Sequence, residues 1–228
     1  MNKTAIILAA GSGSRAGGSV PKQLQNLHGI PVFLHSVNRF ISGCQDTQII
    51  LVVNPSYRDM FIKHLAGNDT CIHIVNGGKS RLESVAAGLR AVSDNETGLV
   101  AVHDAARPLL SVDMIRRGWK CAAEHAAAVP AIQVTDSLRK RDGTLSHAVD
   151  RALYMAVQTP QIFRTDILKK GYKELESLAE TELAALTDDA SVVERIGIPV
   201  HTYEGEATNL KITGPADLAI AHTILSAL

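Results

Sequence analysis

Short apolar runs alternate with amphipathic stretches along most of the chain. Residues 5–10, 49–53, 72–75, 99–102 and 126–134 are apolar but for His73 and Gln133, mostly rich in β-branched side chains, and bounded by polar or turn residues. That pattern predicts strands. Between them, residues 81–92 place Leu82, Val85, Ala86 and Leu89 on one helical face. Residues 31–40 and 55–65 each begin with a proline and read as further helices, because proline is pre-set for a first helical position. Strands that are apolar at every position are covered on both faces, and strand–helix alternation builds parallel βαβ units.

The rhythm breaks at residues 135–151, which are polar and carry Asp142-Gly143, a strong hairpin signal. A charged hairpin with little apolar surface does not hold itself together in water. It is expected to lean on other protein, most economically a second copy of the chain. Beyond it, residues 165–178 predict a helix, followed by a charged stretch to 181–186. Thr187-Asp188-Asp189-Ala190-Ser191 reads as an N-cap opening a helix over 190–196, closed by Gly197. Residues 198–203 and 209–213 are the last strand candidates, and Gly214-Pro215-Ala216-Asp217 starts a final helix. The fold expected is α/β: a Rossmann-like, mostly parallel sheet with helices on both faces, plus a protruding β-arm at about 135–151 for dimerisation. With no repeat, low-complexity tract or linker, residues 1–228 are expected to form a single domain.

Composition narrows the classes. The chain has 228 residues, ample for a buried core, and its 23 Lys plus Arg balance 23 Asp plus Glu. That neutrality argues against a surface coated by nucleic acid. No apolar run approaches the ~20 residues of a membrane span, and the N-terminal run is too short for a signal-peptide core. Cys44, Cys71 and Cys121 are odd in number and widely spaced, which suits neither a disulfide framework nor a zinc site. Structural thiols in a reducing, cytoplasmic setting are expected.

The first apolar run empties into Gly11-Ser12-Gly13-Ser14-Arg15, with Pro21-Lys22-Gln23 following. Glycines let backbone N–H groups approach an anion, and Arg15 and Lys22 add full charge. The first acid in the chain is Asp46, so nothing adjacent in sequence neutralises them. A dinucleotide loop would need an acid about 20 residues on, and a Walker A loop needs Gly-Lys-Ser/Thr after its second glycine. Neither is present.

Other candidates fall at strand ends. Asp104, in His103-Asp104-Ala105-Ala106-Arg107-Pro108, could hold Mg²⁺ beside bound phosphates or cap a turn before Pro108. His103 reads as a packing or hydrogen-bonding residue. Gly77-Gly78-Lys79-Ser80-Arg81 offers another glycine turn with Ser84 beyond it, while Lys79 and Arg81 read as exposed cations at a helix start. Lys211 lies in an otherwise apolar strand candidate, where a lysine must reach an anion or solvent. This cation-rich inventory, without a Ser–His or Cys–His pair, suits phosphoryl or nucleotidyl transfer. A phosphomonoester nucleophile has a second pKa of about 6 and needs no general base.

Residues 8–15 with Pro21-Lys22-Gln23 resemble the signature of sugar-nucleotide pyrophosphorylases and related nucleotidyltransferases. Five further motifs narrow the resemblance: residues 103–108, Val149-Asp150-Arg151, Thr159-Pro160-Gln161, residues 187–191, and Asn209-Leu210-Lys211-Ile212-Thr213. In this order, the set resembles the 2-C-methyl-D-erythritol 4-phosphate cytidylyltransferases of the non-mevalonate isoprenoid pathway. The resemblance implies that CTP and the polyol phosphate give 4-diphosphocytidyl-2-C-methyl-D-erythritol and pyrophosphate, with Mg²⁺. It implies that Arg15, Lys22 and Lys211 are catalytic, and that Asp104 helps to hold the metal. Ala9, Ala10, Gly11, Gly78, Ser84 and Ala105 match cytidine-binding positions. Arg107 and Thr159 match polyol-phosphate contacts, and Asp136, Ser137 and Arg151 match residues that an arm brings to the partner's site in a homodimer. Ala16 stands where many members carry Met, Ser137 where Thr is common, and Lys79 where an acidic or other polar residue is frequent. The chain ends at Leu228, so a fused second pathway enzyme is not expected. The closest rival is a ribitol 5-phosphate cytidylyltransferase of the same fold; Ala9-Ala10-Gly11 and residues 103–107 favour the methylerythritol enzyme.

Overall fold

The computed structural model describes residues 1–11, 20–43, 46–65, 72–93 and 98–227. The chain runs through β1 (Asn2–Ala9), a 3₁₀ turn (Lys22–Leu24), the small hairpin β2 (Asn26–Leu27) and β3 (Ile30–Pro31), and α1 (Val32–Gly43). Then come β4 (Thr47–Val53), α2 (Arg58–Leu65), β5 (Ile72–Asn76), α3 (Arg81–Arg90), β6 (Gly98–Asp104), α4 (Val112–His125) and β7 (Ala127–Gln133). The arm is β8 (Arg139–Asp142) and β9 (Leu145–Ala148). It is followed by β10 (Met155–Val157), β11 (Gln161–Arg164), α5 (Thr165–Glu174), α6 (Glu180–Ala185), α7 (Asp189–Arg195), β12 (His201–Glu204) and α8 (Pro215–Ala227).

The main sheet has the order β10-β7-β11-β6-β1-β4-β5, with β12 also paired to β7. β6, β1, β4 and β5 are mutually parallel, and β12 is parallel to β7. β11 runs antiparallel to both β6 and β7, and β10 antiparallel to β7. Ala128 pairs with both Ile162 and His201, and Ala131 with both Val157 and Glu204. β10 and β11 therefore share one edge of β7 as an interrupted strand, and the interruption is Gln158-Thr159-Pro160.

The apolar strands are covered on both faces, as their composition requires. In β1, Ala5, Ile7 and Ala9 join a cluster with Phe33 and Phe40 of α1, Phe61 of α2 and Trp119 of α4. The intervening Ile6 and Leu8 join Val85 and Leu89 of α3, Leu168 of α5 and Val192 of α7 on the other side. The helices are started by side chains. Ser80 accepts from the Glu83 N–H and Ser111 from the Met114 N–H. Asp188 accepts from the Ser191 N–H, as the sequence predicts for this N-cap, and Gly197 closes α7 at φ +77°.

Three expectations need correction. Residues 209–213 are not a strand: Leu210 and Ile212 join one small apolar cluster with α8, and the Ile212 N–H donates to the Ala106 carbonyl without a ladder forming. Pro31 closes the small hairpin instead of opening α1. The charged stretch after α5 contains a short helix, α6, whose first turn is acidic as the helix dipole favours. The arm forms as expected, with Asp142 paired to Leu145 across Gly143 at φ +56°. Every residue of β8 and β9 is exposed.

α3 lies against β1 and β4 at glycine distance. A Cβ on Gly88 would fall 2.7 Å from Ile6 Cγ2 and 3.2 Å from Val52 Cγ2, both β-branched methyls on strands. Gly88→Ala is expected to cost about 1–3 kcal/mol through overpacking, read as a lower midpoint in urea unfolding. An unchanged midpoint would contradict this close approach.

Candidate active site

Because β1, β4, β5 and β6 run parallel, their C-terminal ends share one edge, the place where open α/β sheets bind ligands. Ala9-Ala10-Gly11 leaves β1 there, Gly77-Gly78 leaves β5, and Asp104 ends β6. Short bonds tie these ends together. The Ala105 N–H donates to the Leu8 carbonyl (3.1 Å) and the Gly77 N–H to the Val53 carbonyl (2.8 Å). Gln23, buried beside Lys22, donates from Nε2 to the Gly11 carbonyl (3.3 Å). A Cβ on Gly77 would lie 2.4 Å from Ala10 Cβ, so the two turns pack as closely as glycine allows. Ser84 braces the second turn: its hydroxyl accepts from the Gly78 N–H (3.2 Å) and donates to the Ser80 carbonyl (2.9 Å).

Asp104 is nearly buried at this edge and meets two cations. Lys211 Nζ lies 2.6 Å from Oδ2, and Arg81 Nε lies 3.8 Å from Oδ1. Burial opposes ionisation of Asp104, but Lys211 and then Arg81 outweigh it and hold the pKa at about 2. The lysine in an apolar stretch has thus found its anion. Its segment is clasped to the loop after β6: Arg107 Nη1 donates to the Asn209 carbonyl (2.8 Å), and buried Asn209 donates from Nδ2 to the Thr159 carbonyl (2.9 Å). Arg107 is therefore committed, at one nitrogen, to holding the segment that carries Lys211.

His103 completes a directed chain beneath Asp104. The Arg107 carbonyl can only accept, so His103 Nε2 carries the proton that meets it (3.2 Å). Nδ1 then accepts from the Thr159 hydroxyl (3.1 Å), whose oxygen accepts from the Asp104 N–H (3.1 Å). Both imidazole nitrogens and the Thr159 hydroxyl are spoken for, and the ring packs edge-on against Phe40. Burial, foremost, depresses the His103 pKa to about 4, with Arg107 adding to it and Asp104 opposing. The residue packs and hydrogen-bonds, as the sequence reading expected.

Arg81 is the principal departure. It is partly buried, and its Nη2 pairs with Asp189 Oδ2 at 2.6 Å while Nε faces Asp104. Asp189 is fully buried and also accepts from the Tyr172 hydroxyl (2.6 Å). Gln161 Oε1 accepts from the N–H groups of Asp189 and Ala190. A cation in the first turn of a helix, together with adjacent acids at Asp188-Asp189, was the available signal.

The other candidates lie as follows. Lys22 is half-buried in the 3₁₀ turn after Pro21. It contributes to the low pKa of Asp217, whose largest cause is the Thr213 hydroxyl bonded to it, with the Thr213 and Gly214 N–H groups next. Asp136, Ser137 and Arg151 are exposed at the root of the arm, where Arg151 donates to the Thr135 carbonyl. Arg15, Cys44 and Cys71 lie outside the described residues. Among the described residues no cluster of three or more His, Cys, Asp or Glu could hold a metal, and no helix is long and apolar enough to cross a membrane.

A mostly parallel sheet with glycine turns and an ion-paired carboxylate on its C-terminal edge is the ligand-binding edge of an α/β protein, and the family it matches makes it a nucleotidyltransferase. The family model for 2-C-methyl-D-erythritol 4-phosphate cytidylyltransferase (IspD) matches residues 3–227, and the chain belongs to that family. A relative of that name from Bacteroides thetaiotaomicron is 39% identical over 228 residues, covering 99% of this chain and 100% of its own. Another from Symbiobacterium thermophilum is 41% identical over 224 residues, covering 96% and 91%. Among solved structures, 4-diphosphocytidyl-2C-methyl-D-erythritol synthase from Anaerococcus prevotii superposes with a TM-score of 0.86 at 25% identity, covering 99% and 98%.

The neutral His103 makes a prediction. Its folded pKa lies below its ordinary value of 6.5, so as pH falls from 6.5 towards 4 the unfolded chain binds a proton that the folded chain does not. Stability contributed by this group is intact above 6.5 and declines below it, by on the order of 1–3 kcal/mol. His103→Gln lacks that titration, so its stability deficit against the parent should shrink between about pH 7 and about pH 4.5. Urea unfolding at both pH values reads it, and an equal deficit at both sinks the reading.

Proposed function

We propose that this chain transfers the cytidylyl group of CTP to 2-C-methyl-D-erythritol 4-phosphate, releasing pyrophosphate, as its family membership implies. The observation that carries the reading is the family match across residues 3–227. Ribitol 5-phosphate is not favoured as the acceptor, since the matching family and relatives are named for the methylerythritol substrate.

The polyol phosphate, already largely dianionic at neutral pH, attacks the α-phosphorus in line. The α–β phosphoanhydride bond breaks, and its electrons leave with pyrophosphate. No proton has to be removed, which fits a site whose buried histidine is committed at both nitrogens. Charge stabilisation falls to Lys22, Lys211 and, by resemblance, Arg15. Ala9, Ala10, Gly11, Gly78, Ser84 and Ala105 would border the cytidine. The Ser84 hydroxyl is engaged within its own turn, so its part is to hold the Gly78 backbone in place. Arg107 and Thr159 would border the acceptor phosphate.

Mg²⁺ fits the donor set. One ionised carboxylate with phosphate oxygens and water is its usual surrounding, and Asp104 is ionised, with Oδ1 3.8 Å from Arg81 Nε, beyond hydrogen-bond length. When bound, the ion would neutralise charge on the phosphates. We further propose a single domain over residues 1–228 acting in the cytoplasm, and a homodimer in which the arm brings Asp136, Ser137 and Arg151 to the partner's site. The exposed Leu145, Leu153 and Met155, on and just beyond the arm, support an occupant there.

Pyrophosphate release from CTP and Mg²⁺ should depend on methylerythritol phosphate, and turnover of ribitol phosphate alone would overturn the assignment. Lys22→Ala should lower that rate by roughly 10²–10³ while the chain stays folded, read by circular dichroism. Mixing Arg151→Ala with Lys22→Ala subunits should restore part of the activity, because one site in each heterodimer is then intact. Verified heterodimers that stay inactive would rule out a shared site.

A further inference from the structure

Arg81 stands at the N-terminal, positive end of α3, where a cation is disfavoured by the helix dipole. Carboxylates on two other elements hold it there. Asp189, without solvent exposure, has both oxygens occupied: Oδ2 by Arg81 Nη2 and Oδ1 by the Tyr172 hydroxyl, each at 2.6 Å. Gln161 fastens the start of α7 to β11, accepting from two N–H groups there and donating to Asp188 at 2.8 Å. The guanidinium is thus fixed from behind by α5, α7 and β11. Its Nε faces Asp104 Oδ1 at 3.8 Å, on the opposite oxygen from Lys211.

We propose that Arg81, anchored by Asp189, is a positioning residue for Asp104: its planar fork bridges the two carboxylates and sets the orientation in which Asp104 faces the ligand edge. The consequence for nucleotide binding rests on the cytidylyl-transfer reading; the Arg81–Asp104 coupling does not. A lysine carries the same charge but lacks the fork, so it cannot span both carboxylates at once.

Two measurements on the full chain test this. The first uses no ligand: urea unfolding of Arg81→Gln, Asp104→Asn and the double variant. The double variant's midpoint shift should be smaller than the sum of the single shifts, because the second substitution removes an interaction already lost. Additive shifts overturn the proposal. The second is calorimetric titration with CTP in the presence and absence of Mg²⁺. Arg81→Gln and Arg81→Lys should each lose about tenfold to a hundredfold of the Mg²⁺-dependent affinity in the Asp104 background, and nothing further in the Asp104→Asn background. Tyr172→Phe, which removes one bond from Asp189, should show a smaller loss of the same kind. Equal losses in both backgrounds, or full affinity in Arg81→Lys, overturn it. Parent protein that couples Arg81 to Asp104 in urea but binds no CTP would sink the cytidylyl-transfer reading and leave the Arg81–Asp104 arrangement standing.

Discussion

A carboxylate at a nearly closed sheet edge is tolerated only if it is paired, since an uncompensated buried charge costs several kcal/mol. Asp104 meets that constraint with partners from distant parts of the chain. Lys211 comes from 107 residues along the sequence, and Arg81 comes from the helix after the neighbouring glycine turn. The loop after β6, the start of α3 and the segment before α8 must therefore arrive together. As a device for stability, such pairing is weak, because hydrophobic replacements of buried ion pairs are often at least as stable. What it provides is a fixed negative charge, flanked by fixed positive charge, at the edge where a triphosphate would lie.

Two supports of different character hold that charge. The chain Asp104 N–H, Thr159, His103 and Arg107 carbonyl is neutral and directional, and each link leaves one possible proton position. It fixes the backbone of the strand end. The line Tyr172, Asp189, Arg81 is charged, and it addresses the carboxylate itself. Both pass through the β10–β11 region: Thr159 occupies the break between these strands, and Gln161 opens β11. The interruption of an otherwise continuous strand along β7 is what lets one short stretch reach both supports.

The central strands were legible because burial on both faces leaves an unmistakable apolar run, and so were the N-cap at Asp188 and the Gly143 hairpin, whose causes are local. Residues 209–213 misled because Leu210 and Ile212 imitate a strand's alternation while both pack into one small cluster with α8. The candidate site was legible as far as glycine turns and isolated charges can show it. The role of Arg81 was not, because an arginine at a helix start reads the same whether it meets water or a buried aspartate 108 residues away. His103 was read correctly as a bonding residue, yet its tautomer follows only from the Arg107 carbonyl, which no spacing rule supplies.

The arm follows a different logic from the rest of the chain. Its turn is set locally by Gly143, and Arg139 bonds across to the Ser146 hydroxyl and carbonyl at 2.7 and 2.8 Å. None of its strand residues is buried, so among the described residues nothing supplies the apolar contact that a two-stranded ribbon needs. On the proposal of a shared site, the partner supplies it, and the same contact orders Asp136, Ser137 and Arg151 at the root. Assembly and acceptor binding then draw on one equilibrium: whatever stabilises the docked arm also completes the site, and a ligand bridging both subunits stabilises the dimer by the free energy of its binding.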